Sequence, residues 1–194
     1  MKRMKGLFMM ATIAVLATTT ATAQDGAMMD KKEKTVMVGG AAMYPSKNIV
    51  ENAVNSKDHT TLVAAVKAAG LVETLQSAGP FTVFAPVNSA FEKLPAGTVE
   101  TLLKPENIKL LQTVLTYHVV AGKLSATDLL AKIKEGNGTA TLKTVAGADI
   151  TLRKKGKTIE ITDTSGGKSV VTIADVNQSN GVIHVVDAVL VPKS

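Results

Sequence analysis

The hydrophobic positions in the first half of the chain follow a helical period. Between His59 and Leu71 the apolar residues are spaced by one, three and three positions, which predicts a helix that buries one face and ends at Gly70. Apolar residues at helical spacing also follow Pro105, a residue that suits the first turn of a helix. A short capped helix is predicted from Ser125 to Ile133.

A short strand and a short helix are predicted between these segments. The run "PFTVFAP", from Pro80 to Pro86, is rich in strand-forming residues and is bounded by prolines. In the "NSAFEKLP" that follows shortly after, Ser89 and Glu92 stand three residues apart and fit a capping box. This spacing predicts a helix that Pro95 ends.

The second half of the chain has the period of strands. Four β-branched segments, "TATLKTV", "DITLRKK", "KTIEIT" and "SVVTIADV", are separated by turn-forming residues. Ile150 and Leu152 alternate with polar residues, as do Ile159 and Ile161, which predicts a hairpin with one solvated face. Because helices come first and strands follow, the pattern predicts an α+β fold with helices packed against sheet.

The last segment, "GVIHVVDAVLVP", is apolar on both faces of a strand and therefore predicts a central, buried strand. His184 and Asp187 fall on opposite faces of that strand, so they are not expected to form a catalytic pair. We expect His184 to be a buried imidazole with backbone or hydroxyl partners.

The N-terminus has the organisation of an export signal. A basic start precedes an apolar stretch and the small residues "ATA", which predicts a signal peptide over residues 1–23. Residues 24–44 are polar, contain glycine and are predicted to form a flexible leader. A single domain is predicted over residues 45–192, in an exported protein that is periplasmic or extracellular.

Composition narrows the class of protein further. The chain has 194 residues, 45% hydrophobic, and no cysteine, so we expect a packed core without disulfides and no lipid anchor after signal cleavage. Its 22 basic and 16 acidic residues give a charge of +6, which falls to +3 once the three cations of the signal are removed. That charge is too small to indicate nucleic-acid binding.

The sequence offers no motif for catalysis or for a cofactor. It lacks the glycine-rich nucleotide loops and the G-x-S-x-G elbow of hydrolases. Three histidines without cysteine give no convincing ligand spacing for a metal. We therefore predict a protein that is not an enzyme, with no catalytic residue, no cofactor and no metal site.

Three segments, "FTVFAPVNSAFEKLP", "YHVV" and "GVIHVVDAVLVP", resemble the signature segments of the fasciclin domain, in the same order. The resemblance covers Pro45 to Pro192 and extends to small secreted single-domain bacterial members. It implies a β-wedge of two sheets with a clump of helices against it. It also implies an adhesion or matrix-interaction module that makes non-catalytic contacts with a cell-surface or matrix protein or polysaccharide.

The resemblance further implies candidate partner-binding residues. In animal members a tyrosine-histidine segment and an aspartate-isoleucine pair contact integrins; the matching positions here are Tyr117-His118 and Asp175-Val176. The alternative is structural, with one of Tyr117 and His118 in the core and the other near the surface, and with Val176 in the core. Because a single domain has one binding face, bridging two surfaces requires weak self-association or a bivalent partner.

Two further interpretations remain open. Arg153, Lys154, Lys155 and Lys157 lie at a predicted hairpin tip, where they either bind an acidic polysaccharide or protect a sheet edge, and we favour the second. The alternative function is an exported carrier of a small apolar ligand, a pigment or a lipid, held between helices and wedge.

Overall fold

The computed structural model describes residues 34–193, and the predicted signal peptide lies outside them. Strands and helices are mixed as an α+β fold, with helices mainly in the first half and strands mainly in the second. The strands are β1 (Val36–Val38), β2 (Ala41–Met43), β3 (Phe81–Pro86), β4 (Val119–Ala121), β5 (Thr139–Lys143), β6 (Asp149–Lys155), β7 (Thr158–Thr162), β8 (Lys168–Gln178) and β9 (Gly181–Val186).

The helices are short. The α-helices are α1 (Ile49–Ala53), α2 (Thr60–Ala68), α3 (Val72–Gln76), α4 (Asn88–Glu92), α5 (Thr98–Leu102), α6 (Ile108–Tyr117) and α7 (Ala126–Glu135), with single 3₁₀ turns at Lys57–His59 and Pro105–Asn107. The apolar faces predicted after His59 and Pro105 are buried in α2 and α6, through Leu62, Val66, Leu111 and Leu115 among others.

Seven strands form one sheet in the order β4-β3-β9-β8-β7-β6-β5. Strand β9 lies inside it, parallel to β3 and antiparallel to β8, and all six of its residues are buried. The prediction of a central strand is confirmed, but β9 ends at Val186, so the last residues of the apolar segment are not part of it. Gly181 is required at its start, because a Cβ there would collide with the Phe81 carbonyl oxygen.

Strand β8 divides the sheet into two halves. It pairs with β7 through Lys168, Ser169 and Val170 and with β9 through Val171 to Gln178. Irregular register between Val171 and Val176 interrupts the ladder, and such bulges bend a strand. The predicted α+β wedge with helices against it is confirmed, with both halves of its large sheet sharing one strand.

Two large clusters of buried side chains make up most of the core, beside a small third one of Ala90, Val114 and Val189. One joins α1, α2 and α6 to β3, β8 and β9, and the other joins α7 and Tyr117 to strands β5 to β9. The predicted hairpin is confirmed as β6 and β7, whose inward residues Ile150, Leu152, Ile159 and Ile161 are all buried in the second cluster.

The structure corrects the predicted leader in part. Residues 36–43 form the two-stranded sheet of β1 and β2, in which Val38 pairs with Ala41. Val38 and Met43 are each 3% exposed and belong to the first core cluster. The burial of these two apolar side chains against the domain outweighs the flexibility that the neighbouring glycines suggested.

The predicted capping box of α4 is wrong. The helix begins at Asn88, one residue before Ser89, and its N-cap, Val87, contributes no side-chain cap. Asn88 is used to bind a neighbouring segment: its amide donates to the Lys57 carbonyl and accepts from the Thr61 N–H.

Three buried amide side chains hold the small sheet and the first helices to the end of β8. The Asn52 amide donates to Gln178, while its oxygen accepts from the Tyr44 N–H. Asn180 accepts from the Ile49 N–H and donates to two carbonyls that end α3. The sequence indicated a turn at Asn180 and no role for Asn52, because nothing local shows which distant backbone groups these side chains satisfy.

Candidate functional site

Tyr117 and His118 are both buried, at 0% and 3% exposure. The expectation that one of them lies near the surface is wrong, because Tyr117 is the last residue of α6 and His118 is its C-cap. Strand alternation therefore does not apply to this pair, and the strand starts only at Val119.

His118 joins α6 to the C-terminal segment of the chain. Its Nδ1–H donates to the Val114 carbonyl at 2.8 Å, and its Nε2 accepts from the Leu190 N–H at 2.9 Å. These two bonds require the neutral ring. Burial lowers the pKa of His118 to about 4, opposed by the Val114 carbonyl and by the negative charge of Asp163.

Tyr117 bridges two parts of the sheet. Its hydroxyl donates to the Asp149 carbonyl at 2.8 Å, at the start of β6, and accepts from the Thr164 N–H at 3.1 Å. Next to Thr164, the Asp163 carboxylate accepts from the N–H groups of Ser165, Gly167 and Val191. Asp163 therefore caps a turn, and the C-terminal segment is held by side chains from separate elements.

Asp175 and Val176 also have internal roles. Val176 is 1% exposed and lies in the first core cluster. Asp175 has a left-handed backbone with φ of 58°, and its carboxylate accepts from the Ala126 N–H at 2.7 Å at the start of α7. A carboxylate there satisfies a free N–H of the helix and complements its dipole.

His184 also links this part of β8 to the start of α7. Its Nδ1 accepts from the Asp175 N–H at 3.3 Å and its Nε2–H donates to the Leu124 carbonyl at 2.9 Å, just before α7. The ring stacks on Phe84, and burial lowers its pKa. The prediction of a buried imidazole with backbone partners is confirmed. Asp187 instead accepts from the Val170 N–H, so the two residues do not form a pair.

The third histidine, His59, is buried as well. Its Nδ1 is bonded to the Ser56 hydroxyl at 2.9 Å, and burial lowers its pKa, opposed by the carbonyl of Ala85. Residues 34–193 contain no group of three or more His, Asp or Glu side chains that could hold a metal ion. None of the helices in this part of the chain is long and apolar enough to cross a membrane.

The four cationic candidates do not form one cluster. Arg153, Lys155 and the turn residue Lys157 are exposed, and Lys154 is exposed too but points to the opposite face from Arg153 and Lys155. Strand β6 lies between β5 and β7, so it is not an edge; only Lys154 and Lys155 extend past the first residue of β5. Edge protection can therefore apply to these two residues alone.

Sequence reasoning missed two residues that lie near Arg153 and Lys155 on the sheet, Glu160 and Lys168. Glu160 on β7 binds Lys155 at 2.8 Å and Lys168 of β8 at 3.6 Å. Arg153 stands directly opposite Glu160 in the register. We call the surface made by Arg153, Lys155, Glu160 and Lys168 the cationic face. Finding this face required the register of strands β6, β7 and β8.

An apolar cavity of about 70 Å³ lies between the first helices and the sheet. Its walls come from α1, α2, α3, β3 and the end of α6, and the exposed Val145 stands at its margin; they include Ile49, Val66, Leu71, Phe81, Leu115 and Ile183. The cavity offers a ligand mainly apolar contact, and Lys67 is the charged residue among those that line it.

Comparison with known proteins gives consistent matches. The fasciclin domain family matches residues 57–192. Protein sll1483 of Synechocystis is 47% identical over 86% of this chain and 85% of its own. Cell surface glycolipoprotein MPB83 of Mycobacterium bovis is 33% identical over 80% of this chain and 64% of its own.

A solved structure shares the fold. The domain pair from the insect cell adhesion molecule fasciclin I superposes with a TM-score of 0.66 at 18% identity, over 82% of this chain and 58% of the other. The order of the elements and the arrangement of the sheet agree with the family match. The chain belongs to the fasciclin family.

Proposed function

We propose that this protein is exported and acts as an adhesion or matrix-interaction module, through non-catalytic contacts with a cell-surface or matrix protein or polysaccharide. The names of the cell-surface mycobacterial relative and of the insect adhesion molecule support this role. The observation that carries the proposal is the internal use of the chemically versatile side chains. Tyr117, His118, Asp175 and His184 all bind backbone groups of the domain.

This arrangement bears on how a partner could be bound. Tyr117, His118 and Val176 are buried, so a partner that contacted them directly would have to open the domain. We propose that these residues shape the binding surface from beneath. Direct contact with the partner is then made by exposed groups, such as those of the cationic face, and by the half-buried Asp175.

The test measures retention and valency together. Protein purified from its native host is incubated with cells and extracellular matrix of that host, and the retained fraction is compared with a protein of similar size and charge. Light scattering over a wide concentration range gives the mass in solution. Saturable retention, with self-association or a bivalent partner, supports adhesion, whereas no retention above the comparison protein contradicts it.

The cavity favours a second candidate, a carrier of a small apolar ligand such as a pigment or lipid. Its volume is well below the roughly 300 Å³ of a typical ligand pocket, so it would enclose only one end of such a molecule. Organic extraction of protein from the native host, followed by mass spectrometry, tests this. A stoichiometric apolar compound supports the carrier, and a clean extract contradicts it.

A further inference from the structure

The cationic face has a layered distribution of charge. Glu160 lies at its centre, directly opposite Arg153, and binds the ammonium groups of both Lys155 and Lys168. The side chain of Glu160 is only 13% exposed, whereas those of Lys155 and Lys168 are 60% and 64% exposed. Within this set the carboxylate of Glu160 is therefore recessed, and the cations are more exposed to an approaching molecule.

The recessed carboxylate also positions the cations. Lys155 and Lys168 are diagonal neighbours of Glu160 on the adjoining strands β6 and β8. The hydrogen bond from Lys155 lowers the pKa of Glu160, so the carboxylate stays ionised. Both lysines are thus paired with Glu160, whose negative charge opposes an anionic ligand and offsets part of their attraction for it.

The spacing suits an extended ligand. Strands β6 and β8 are two inter-strand steps apart and Lys168 is two residues along from the row of Arg153, so these two residues stand roughly 12 Å apart across the face. Threonines continue the same rows: Thr139 pairs with Arg153, and Thr151 and Thr162 pair with each other beside Lys168. The face therefore presents cations and hydroxyl groups, with the half-buried Val170 opposite Glu160.

This composition selects among polyanionic partners. A protein interface usually has an apolar centre, but the exposed large hydrophobic residues found among residues 34–193 lie outside β6, β7 and β8. Cations beside hydroxyl donors match the acidic groups and hydroxyls of a sugar chain. We propose that the cationic face binds an acidic polysaccharide, which names the partner class within the proposed adhesion function and rests on it.

The probe is a polyuronate, alginate, immobilised on a column. Wild-type protein is expected to bind at low salt and to elute as salt screens the charges. The variant R153Q/K155Q/K168Q should lose this retention. The control K109Q/K132Q/K134Q removes the same charge from the exposed sides of α6 and α7, and it should elute with wild type.

A second variant keeps the proposal falsifiable if the triple variant fails to fold. E160Q removes the recessed negative charge, so it should require higher salt for elution than wild type. Equal loss in both triple variants would show that net charge alone causes retention, and an unchanged or weaker E160Q would show that Glu160 does not oppose the ligand. Either result overturns the proposal.

The remaining arms separate this inference from the adhesion function. Duplex DNA and vesicles containing anionic lipid are tested in parallel, and binding to either that is as tight as to alginate, and lost in R153Q/K155Q/K168Q, overturns polysaccharide selectivity. If the protein does not bind alginate but is retained on host cells, the polysaccharide inference is contradicted and the adhesion function is still supported. If it binds neither, both fail.

Discussion

The Nε2 atom of His118 accepts a hydrogen bond from the backbone N–H of Leu190 at 2.9 Å. The same ring donates to Val114 inside its own helix, so one neutral side chain fixes the C-terminal segment against α6. Both bonds depend on the protonation state of the ring.

The stability of the protein should therefore fall on mild acidification. The pKa of His118 is about 4 in the folded protein and near 6.5 when unfolded, so the unfolded chain binds the proton first. The stabilisation is fully present above pH ~6.5 and is lost as pH falls toward 4, with His118 contributing ~3 kcal/mol at most. Burial lowers the pKa of His59 and His184 as well, so they add to the loss.

Urea denaturation of wild type and His118→Gln between pH 4 and 7 measures this effect. The glutamine variant should be ~1–2 kcal/mol less stable at pH 7 because the two buried bonds are imperfectly replaced. Its stability should then depend less on pH than that of wild type. Parallel curves for the two proteins would show that His118 is not the responsible group.

Tyr117→Phe should destabilise the domain by ~1–2 kcal/mol, because Asp149 loses its donor and Thr164 loses its acceptor. Tyr44→Phe is the matched control, since Tyr44 is 40% exposed and its ring lies 5.0 Å from the Lys47 ammonium group. Chemical denaturation of both compares the two hydroxyl groups. A Tyr117→Phe variant as stable as the control would show that water replaces both bonds without loss.

Substitutions of Asp175 should separate the cap from the backbone. Asparagine retains an acceptor and tolerates a left-handed φ, so Asp175→Asn should cost less than ~1 kcal/mol. Asp175→Ala loses the cap and strains the backbone, for a total of ~2–3 kcal/mol, whereas Asp175→Gly loses only the cap. Thermal melts give the order, and alanine as stable as asparagine would contradict it. Weaker adhesion of Asp175→Ala has meaning only after this comparison.

Truncating the two methionines of the small sheet should change the stability of the protein by very different amounts. Met43→Ala leaves a space in the first core cluster and should cost ~2–4 kcal/mol. Met37→Ala, on the neighbouring strand, changes a side chain that is 59% exposed and should lie within ~0.5 kcal/mol of wild type. Denaturation curves for the pair test whether residues 36–43 belong to the stable domain, and equal losses would contradict that assignment.

Periodicity in the sequence was sufficient for the central strand, the hairpin of β6 and β7 and the buried state of His184. It failed where a boundary is decided by contacts from elsewhere in the chain. Tyr117 looks like a strand residue because Val119 and Val120 follow it, yet α6 extends through it and its hydroxyl is bonded to residues after β5 and β7. The role of Lys168 required the pairing of β7 with β8, which has no trace in local spacing.

The position of β9 has a consequence for how the chain folds. The last strand of the sequence is inserted between β3 and β8. Phe81 therefore cannot pair with Gly181 until nearly the whole domain has been synthesised. The core on both sides of β9 cannot close earlier, and such non-local pairing slows folding. A chain that ends before β9 leaves β3 and β8 with open edges, and open edges invite aggregation.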